Sequence, residues 1–246
     1  MPHRWRVAKR HNTMKHIGAI MGLLLIAGMQ TAAAADAEVK AIGFSPDGRY
    51  FAFEQSGTDA SGSYTTTVPM DVAENRLLKG STMTYGNDDA AKLKKIRAAT
   101  SKLLRKLKIS PKGNLSVSVP DIQVGQFEEG SYKLLAVPSK WFGPESWLSI
   151  RQFKMVDRCK NTQNNPIGFS LALERKTAPA VQLAHDLTIP DSRGCPTGYR
   201  VVEAHARQLK EGPVALAVIV QTLGPGLEGG NRSFIALTTR VPADKK

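Results

Sequence analysis

Val214-Ala215-Leu216-Ala217-Val218-Ile219-Val220 is apolar at every position. Successive side chains of a strand point to opposite faces, so an unbroken apolar run reads as a central strand covered on both sides. The segments around it carry the same signature in weaker form. Downstream, Phe234 to Val241 closes the chain. Upstream lie Tyr199 to Arg207, Val181 to Ile189, Gly168 to Glu174, Leu148 to Val156 and Tyr132 to Val137, each bounded by turn residues. Leu115, Val117 and Val119 alternate with serines, as a half-buried strand would. Nearer the start, Gly43-Phe44-Ser45-Pro46-Asp47-Gly48 is a turn sequence. There Pro presets φ and Gly accepts a positive one. Tyr50 to Glu54 follows as a strand, then a loop from Gly57 to Gly62, then a β-branched strand around Tyr64 to Val72.

One segment changes period. Leu93, Ile96, Leu103, Leu104 and Leu107 fall within a single arc at 100° per residue, with Thr100 on the same stripe. Asn87 suits the cap, Asp88 and Asp89 suit the N-terminal dipole, and Ser110-Pro111-Lys112-Gly113 ends the element. The expectation is a mainly β (α+β) fold: antiparallel, sandwich-like sheets with one amphipathic helix at about 88–108 packed on them.

The N-terminus reads as an export signal. Arg4, Arg6, Lys9, Arg10 and Lys15 precede the apolar run Ile17 to Met29, and Thr31-Ala32-Ala33-Ala34-Ala35 supplies small residues for a peptidase. Residues 1–35 are expected to leave as a cleavable signal peptide and 36–246 to form a single mature β-rich domain. Met14 is a second candidate start. No later stretch approaches the ~18 apolar residues of a membrane span, so no transmembrane segment is expected after cleavage. Cleavage also removes five basic residues. That leaves 29 Lys and Arg against 21 Asp and Glu, a net charge of +8 against +13 for the whole chain. Much of the apparent nucleic-acid signature goes with the leader, and the compartment disfavours nucleic acid. The destination is the periplasm or beyond. In an exported chain the two cysteines, Cys159 and Cys195, read as one disulfide, stabilising by roughly 3–4 kcal/mol on the chain-entropy model.

Three stretches carry a resemblance: Gly43 to Phe53; Ile189-Pro190-Asp191-Ser192-Arg193-Gly194-Cys195-Pro196-x-Gly198-Tyr199; and Gly226-Leu227-Glu228-Gly229-x-x-Arg232-x-Phe234. Together they resemble a bacterial family of predicted secreted proteins, domain of unknown function 2259. The resemblance implies an exported envelope protein and brings no activity or catalytic residues with it. Leu227 and Ser233 stand where an aromatic and a second Arg are expected. The first stretch alone also resembles a blade signature of Tol-type β-propellers, but a propeller repeats its blade about four times or more, and the signature occurs once.

Candidate sites are few. Gly224-Pro225-Gly226-Leu227-Glu228-Gly229 fits G-x-G-x-x-G, but a strand pattern follows where a dinucleotide site needs a helix, so it reads as a hairpin loop. Glu228, Asn231 and Arg232 are its binding candidates. His205, with Glu203 and Arg207, falls on a polar strand face; His205 and Glu203 are the candidate catalytic pair. His185 falls in parity with Val181, Leu183, Leu187 and Ile189, as a core histidine would. Trp141 and Trp147 flank a Gly-Pro turn, either as a stacking platform or as a plug for the end of the core. Nine basic residues between Lys92 and Lys112, Lys102, Arg105 and Lys106 among them, lie opposite the leucine stripe. They form either a solvated face or a dock for an anionic envelope surface or another envelope protein. No metal-ligand cluster or nucleophile motif is present, so neither metal nor cofactor is expected. The reading is a non-catalytic binding or structural module of the envelope. A membrane-surface adaptor and a glycan or peptidoglycan hydrolase are the alternatives.

Overall fold

A computed structural model describes residues 37–59, 62–80, 82–110, 115–118, 130–137, 139–156, 159, 165–190, 193–210, 212–224 and 232–242. All of them fall in the second of the chain's two units, Ala33–Lys246. The signal-peptide segment therefore lies outside the described residues, as do Glu228 and Asn231.

Three antiparallel sheets carry the chain. The first holds β1 (Glu38–Phe44), β2 (Tyr50–Asp59), β3 (Gly62–Asp71) and β4 (Arg76–Leu77) in that order, with β5 (Thr82–Tyr85) also pairing β3. The middle sheet draws on both halves of the chain. It runs β13 (Arg232–Val241), β12 (Val214–Leu223), β11 (Gly198–Gln208), β6 (Leu115–Ser118). The third sheet runs β10 (Val181–His185), β9 (Ile167–Arg175), β8 (Ser146–Lys154), β7 (Gly130–Ala136). The single turn α2 (Ser139–Phe142) joins β7 to β8.

The apolar run of β12 explains the stacking. Val214, Leu216, Val218 and Val220 pack with the third sheet's Leu148, Ile150, Phe169 and Leu171. Ala215, Ala217 and Ile219 pack with Phe44, Phe51, Phe53 and Met70 of the first sheet. The middle sheet thus has a core on each face, and β12 is its doubly covered strand. Small alanines face the bulky phenylalanines of the first sheet, so the facing layers interdigitate. The Ser45–Gly48 turn is pressed against the middle sheet. A Cβ on Gly48 (φ +60°) would lie 2.5 Å from a Leu209 methyl and 2.9 Å from Ala215 Cβ. Ser45 Oγ holds the turn by accepting from Tyr50 N–H at 2.9 Å and donating to Asp47 at 2.5 Å.

Side chains tie the layers together where backbone pairing ends. On the outward edge of β13, Phe234 N–H donates to Gln55 Oε1 (3.1 Å) and Thr238 N–H donates to Asn75 Oδ1 (2.8 Å). On the other side, Tyr199 N–H donates to the buried Gln152 Oε1 at 2.7 Å. The expected disulfide is formed: Cys159 and Cys195, with Cα atoms 5.6 Å apart, close a 36-residue separation between the strand β8 and the approach to β11.

The helix α1 spans Ala90–Lys106. Its cap is Asp89, not Asn87: Asp89 Oδ1 accepts from Lys92 N–H at 2.6 Å. Asp88 is drawn away, accepting from Tyr85 N–H and pairing with Lys92. The leucine stripe faces the first sheet, and Leu103 reaches Gly80. None of its residues is fully buried, however; Leu93, Ile96, Leu103 and Leu104 are only partly covered. Ile109 anchors the helix exit, and Ser110 N–H returns to the Phe44 carbonyl.

Two histidine expectations are reversed. His205 is buried at 6% exposure, its ring 5.9 Å from Phe51, because the face it shares with Glu203 and Arg207 is covered by the first sheet. His185 is exposed. A β-bulge between Gln182 and Ala184 breaks the alternation, and β10 ends at His185, leaving Leu187 79% exposed.

Candidate functional site

A groove of about 340 Å³ opens where the start of β1 leaves the end of the middle sheet uncovered. Register builds its floor. Arg200 of β11 pairs with Gln221 of β12, which pairs with Phe234 of β13, so the three stand in one row on one face. Arg232, two residues before Phe234, shares that face, and Glu38 and Val39 of β1 form the opposite wall. Glu203 completes the lining. A bulge between Val201 and Glu203 puts it there: Tyr199, Val201, Ala204 and Ala206 all serve the core shared with the third sheet, while Glu203 and His205 turn the other way.

His205 Nε2 lies 2.8 Å from Glu203 Oε2. In the tautomer that donates to the carboxylate, Nε2 carries the proton and offers no lone pair to a substrate. His205 thereby orients the Glu203 carboxylate, which stays about one-third exposed in the groove. Two guanidiniums, the Glu203 carboxylate and one carboxamide thus stand together beside the apolar ring of Phe234. A ligand carrying both a carboxylate and a hydrogen-bond donor matches that set.

Of the candidates that the sequence pattern singles out, the structure therefore unites Glu203, His205 and Arg232. It adds Glu38, Arg200 and Gln221, which that pattern does not mark. Gln221 left one trace, a polar residue in parity with the core residue Ile219. Trp141 and Trp147 do not form a common platform. Trp141 packs against the core between the middle and third sheets, whereas Trp147 alternates with the buried Leu148. Lys102, Arg105 and Lys106 are exposed on α1 and line no part of the groove. Beneath α1 lies a second cavity of about 530 Å³, bounded by Glu54, Thr65, Thr67, Ile96, Arg97 and Leu104 among others. Among the described residues, no group of three His, Cys, Asp or Glu is placed to hold a metal ion.

A buried clasp stands apart from the groove. Both Asp186 carboxylate oxygens accept from Arg193 Nη1 at 2.8 Å, and Oδ2 also accepts from Phe169 N–H at 3.0 Å. The Arg193 guanidinium lies over Phe169 and Tyr199, 5.3 and 5.8 Å from their ring centres. Tyr199 lies within hydrogen-bonding reach of Arg193, and burial pushes its phenol up to about 12 against the opposing pull of that cation. The neighbouring Gly194 (φ +61°) turns the chain into Cys195, and the Pro196 carbonyl accepts from Ile167 N–H.

The family model for predicted secreted protein (DUF2259) matches residues 52–240. The chain belongs to the DUF2259 family. No curated protein and no solved structure matches it. As a DUF2259 protein it is exported, in keeping with its formed disulfide. Of the three stretches that carried the resemblance, the second and third lie inside the matched region, and the second supplies Arg193 and Tyr199 to the clasp. The propeller-like first stretch is the one turn between β1 and β2. Only Gly224 of the G-x-G-x-x-G segment is among the described residues, and the next described residues form the strand β13, antiparallel to β12. No helix among the described residues is long and apolar enough to cross a membrane.

Proposed function

We propose that this DUF2259 protein is a non-catalytic binding module of the periplasm, which holds a small carboxylate-bearing, peptide-like ligand in the groove of Glu38, Arg200, Glu203, Gln221 and Arg232. The observation that carries the reading is the meeting of Arg200, Glu203, Gln221 and Arg232, from three strands, in one open groove walled by the start of β1. The withdrawal of His205 from solvent supports binding over hydrolysis: its Nε2 is committed to Glu203 and its ring is packed near Phe51. A general base must reach the proton it takes.

The test is calorimetric titration of the mature chain with free amino acids, di- and tripeptides and muropeptides. At least one carboxylate-bearing peptide is expected to bind. Arg232→Gln and Glu203→Gln should each weaken it by about tenfold or more, the worth of one charge-assisted hydrogen bond. Absence of any binder across the panel, or unchanged affinity in both variants, would refute the reading. Turnover of a panel member that disappears in His205→Ala would replace it with the hydrolase.

A further inference from the structure

The groove leaves the most charged element of the molecule unused. Lys92, Lys94, Lys95, Arg97, Lys102, Arg105, Lys106 and Lys108 are all exposed on α1 and its exit. Among the described residues, Lys92 is the member of this set that makes an ion pair, with Asp88. At 100° per residue, Lys94, Lys95, Lys102, Arg105 and Lys106 share the arc directly opposite the leucine stripe. Lys102 stands three residues from Arg105 and four from Lys106, and such like-charge pairs destabilise the helix that carries them. Packing does little to offset this, since no residue of α1 is fully buried. An uncompensated cationic face on a weakly packed helix is complementary to an extended anionic surface.

We propose that the outer face of α1 docks the protein on an anionic phospholipid bilayer. The helix runs about 25 Å, a length matched to a plane of headgroups rather than to a pocket. It contains no aromatic residue to stack on a base or to anchor at a membrane interface. Its apolar stripe is turned toward the first sheet, so the contact is electrostatic and peripheral, without insertion of the helix. Salt therefore controls it.

The experiment is vesicle sedimentation of the mature chain at low and physiological salt. It uses phosphatidylglycerol–phosphatidylcholine and pure phosphatidylcholine vesicles, with soluble polyphosphate as a competing polyanion. Binding to the anionic vesicles alone, fading as salt rises, is expected. The triple variant K102Q/R105Q/K106Q should partition roughly 100-fold more weakly, with its thermal midpoint equal to or slightly above wild type because the like-charge pairs are gone. A control, R151Q/K154Q/K210Q, removes the same charge from exposed positions outside α1 and should stay within about threefold of wild type. Failure to sediment with anionic vesicles at low salt overturns the proposal. So does equal weakening by the two triple variants, or capture by polyphosphate without any capture by vesicles. The wild-type salt series decides the matter even if the helix variant fails to fold.

Discussion

Removing the Asp186 carboxylate is the sharpest available test of the packing scheme. Asp186→Ala deletes two bonds to Arg193 and leaves Phe169 N–H, a buried donor, without its acceptor. An orphaned buried donor costs about 1–3 kcal/mol, and breaking a buried pair about 3–5 kcal/mol. The Arg193 side chain retains 14% exposure and two aromatic faces. Solvent and ring electrons thus recover part of the loss, and about 3 kcal/mol is expected. Arg193→Met keeps apolar contact with the two rings but strands a carboxylate that is 6% exposed, at a similar cost. In Asp186→Ala/Arg193→Met neither charge remains to be left unpaired, so the double variant should lose about 2 kcal/mol less than the two singles added together. Urea unfolding of the oxidised protein measures all four corners of the cycle, and each single should lower the thermal midpoint by roughly 6–12 °C. Singles within about 0.5 kcal/mol of wild type, or effects that simply add, would mean that the clasp is a contact without energetic consequence.

Two further outcomes follow from the same region. Replacing Cys159 and Cys195 by Ser should cost roughly 3–4 kcal/mol, read as a shift in the urea midpoint with an unchanged native circular dichroism spectrum. The Tyr199 phenol titrates near 12 in the folded state against 10.0 ordinarily. The folded chain therefore holds its proton where the unfolded chain has lost it. The associated stability is intact below pH 10 and is lost as pH climbs toward 12, by roughly 2–3 kcal/mol, and Tyr199→Phe should flatten that part of the stability profile.

Much of this architecture was written in side-chain periodicity. The run at Val214–Val220 announced a strand covered on both sides because no position in it carries a polar side chain. The leucine spacing of 93 to 107 announced the helix. What stayed hidden depends on relations no window of residues contains. The bulges at 182/184 and 201/203 invert which face a residue occupies and leave no compositional mark. His205 sits in a strand with alternating charges, yet a second sheet covers that strand's polar side. Asp186 and Arg193 are separated by a turn, and nothing in the spacing favours Asp186 over the nearer Asp191. The groove draws Glu38, Arg200, Gln221 and Arg232 from four strands, and only the stacking of the first sheet on the middle one decides that they meet. Glu203 and Arg232 were legible because each was polar in an otherwise apolar or turn-bounded setting.

Gln55 and Asn75 have a consequence beyond joining two layers. An outermost strand is an open template on which another chain can lengthen the sheet. By occupying the amides of Phe234 and Thr238, these two carboxamides take up two of its outward donors, and a strand pairing along that stretch would have to displace both. A secreted protein that works far from cytosolic chaperones thus carries, on one rim of its middle sheet, side chains that compete with any strand arriving to lengthen it.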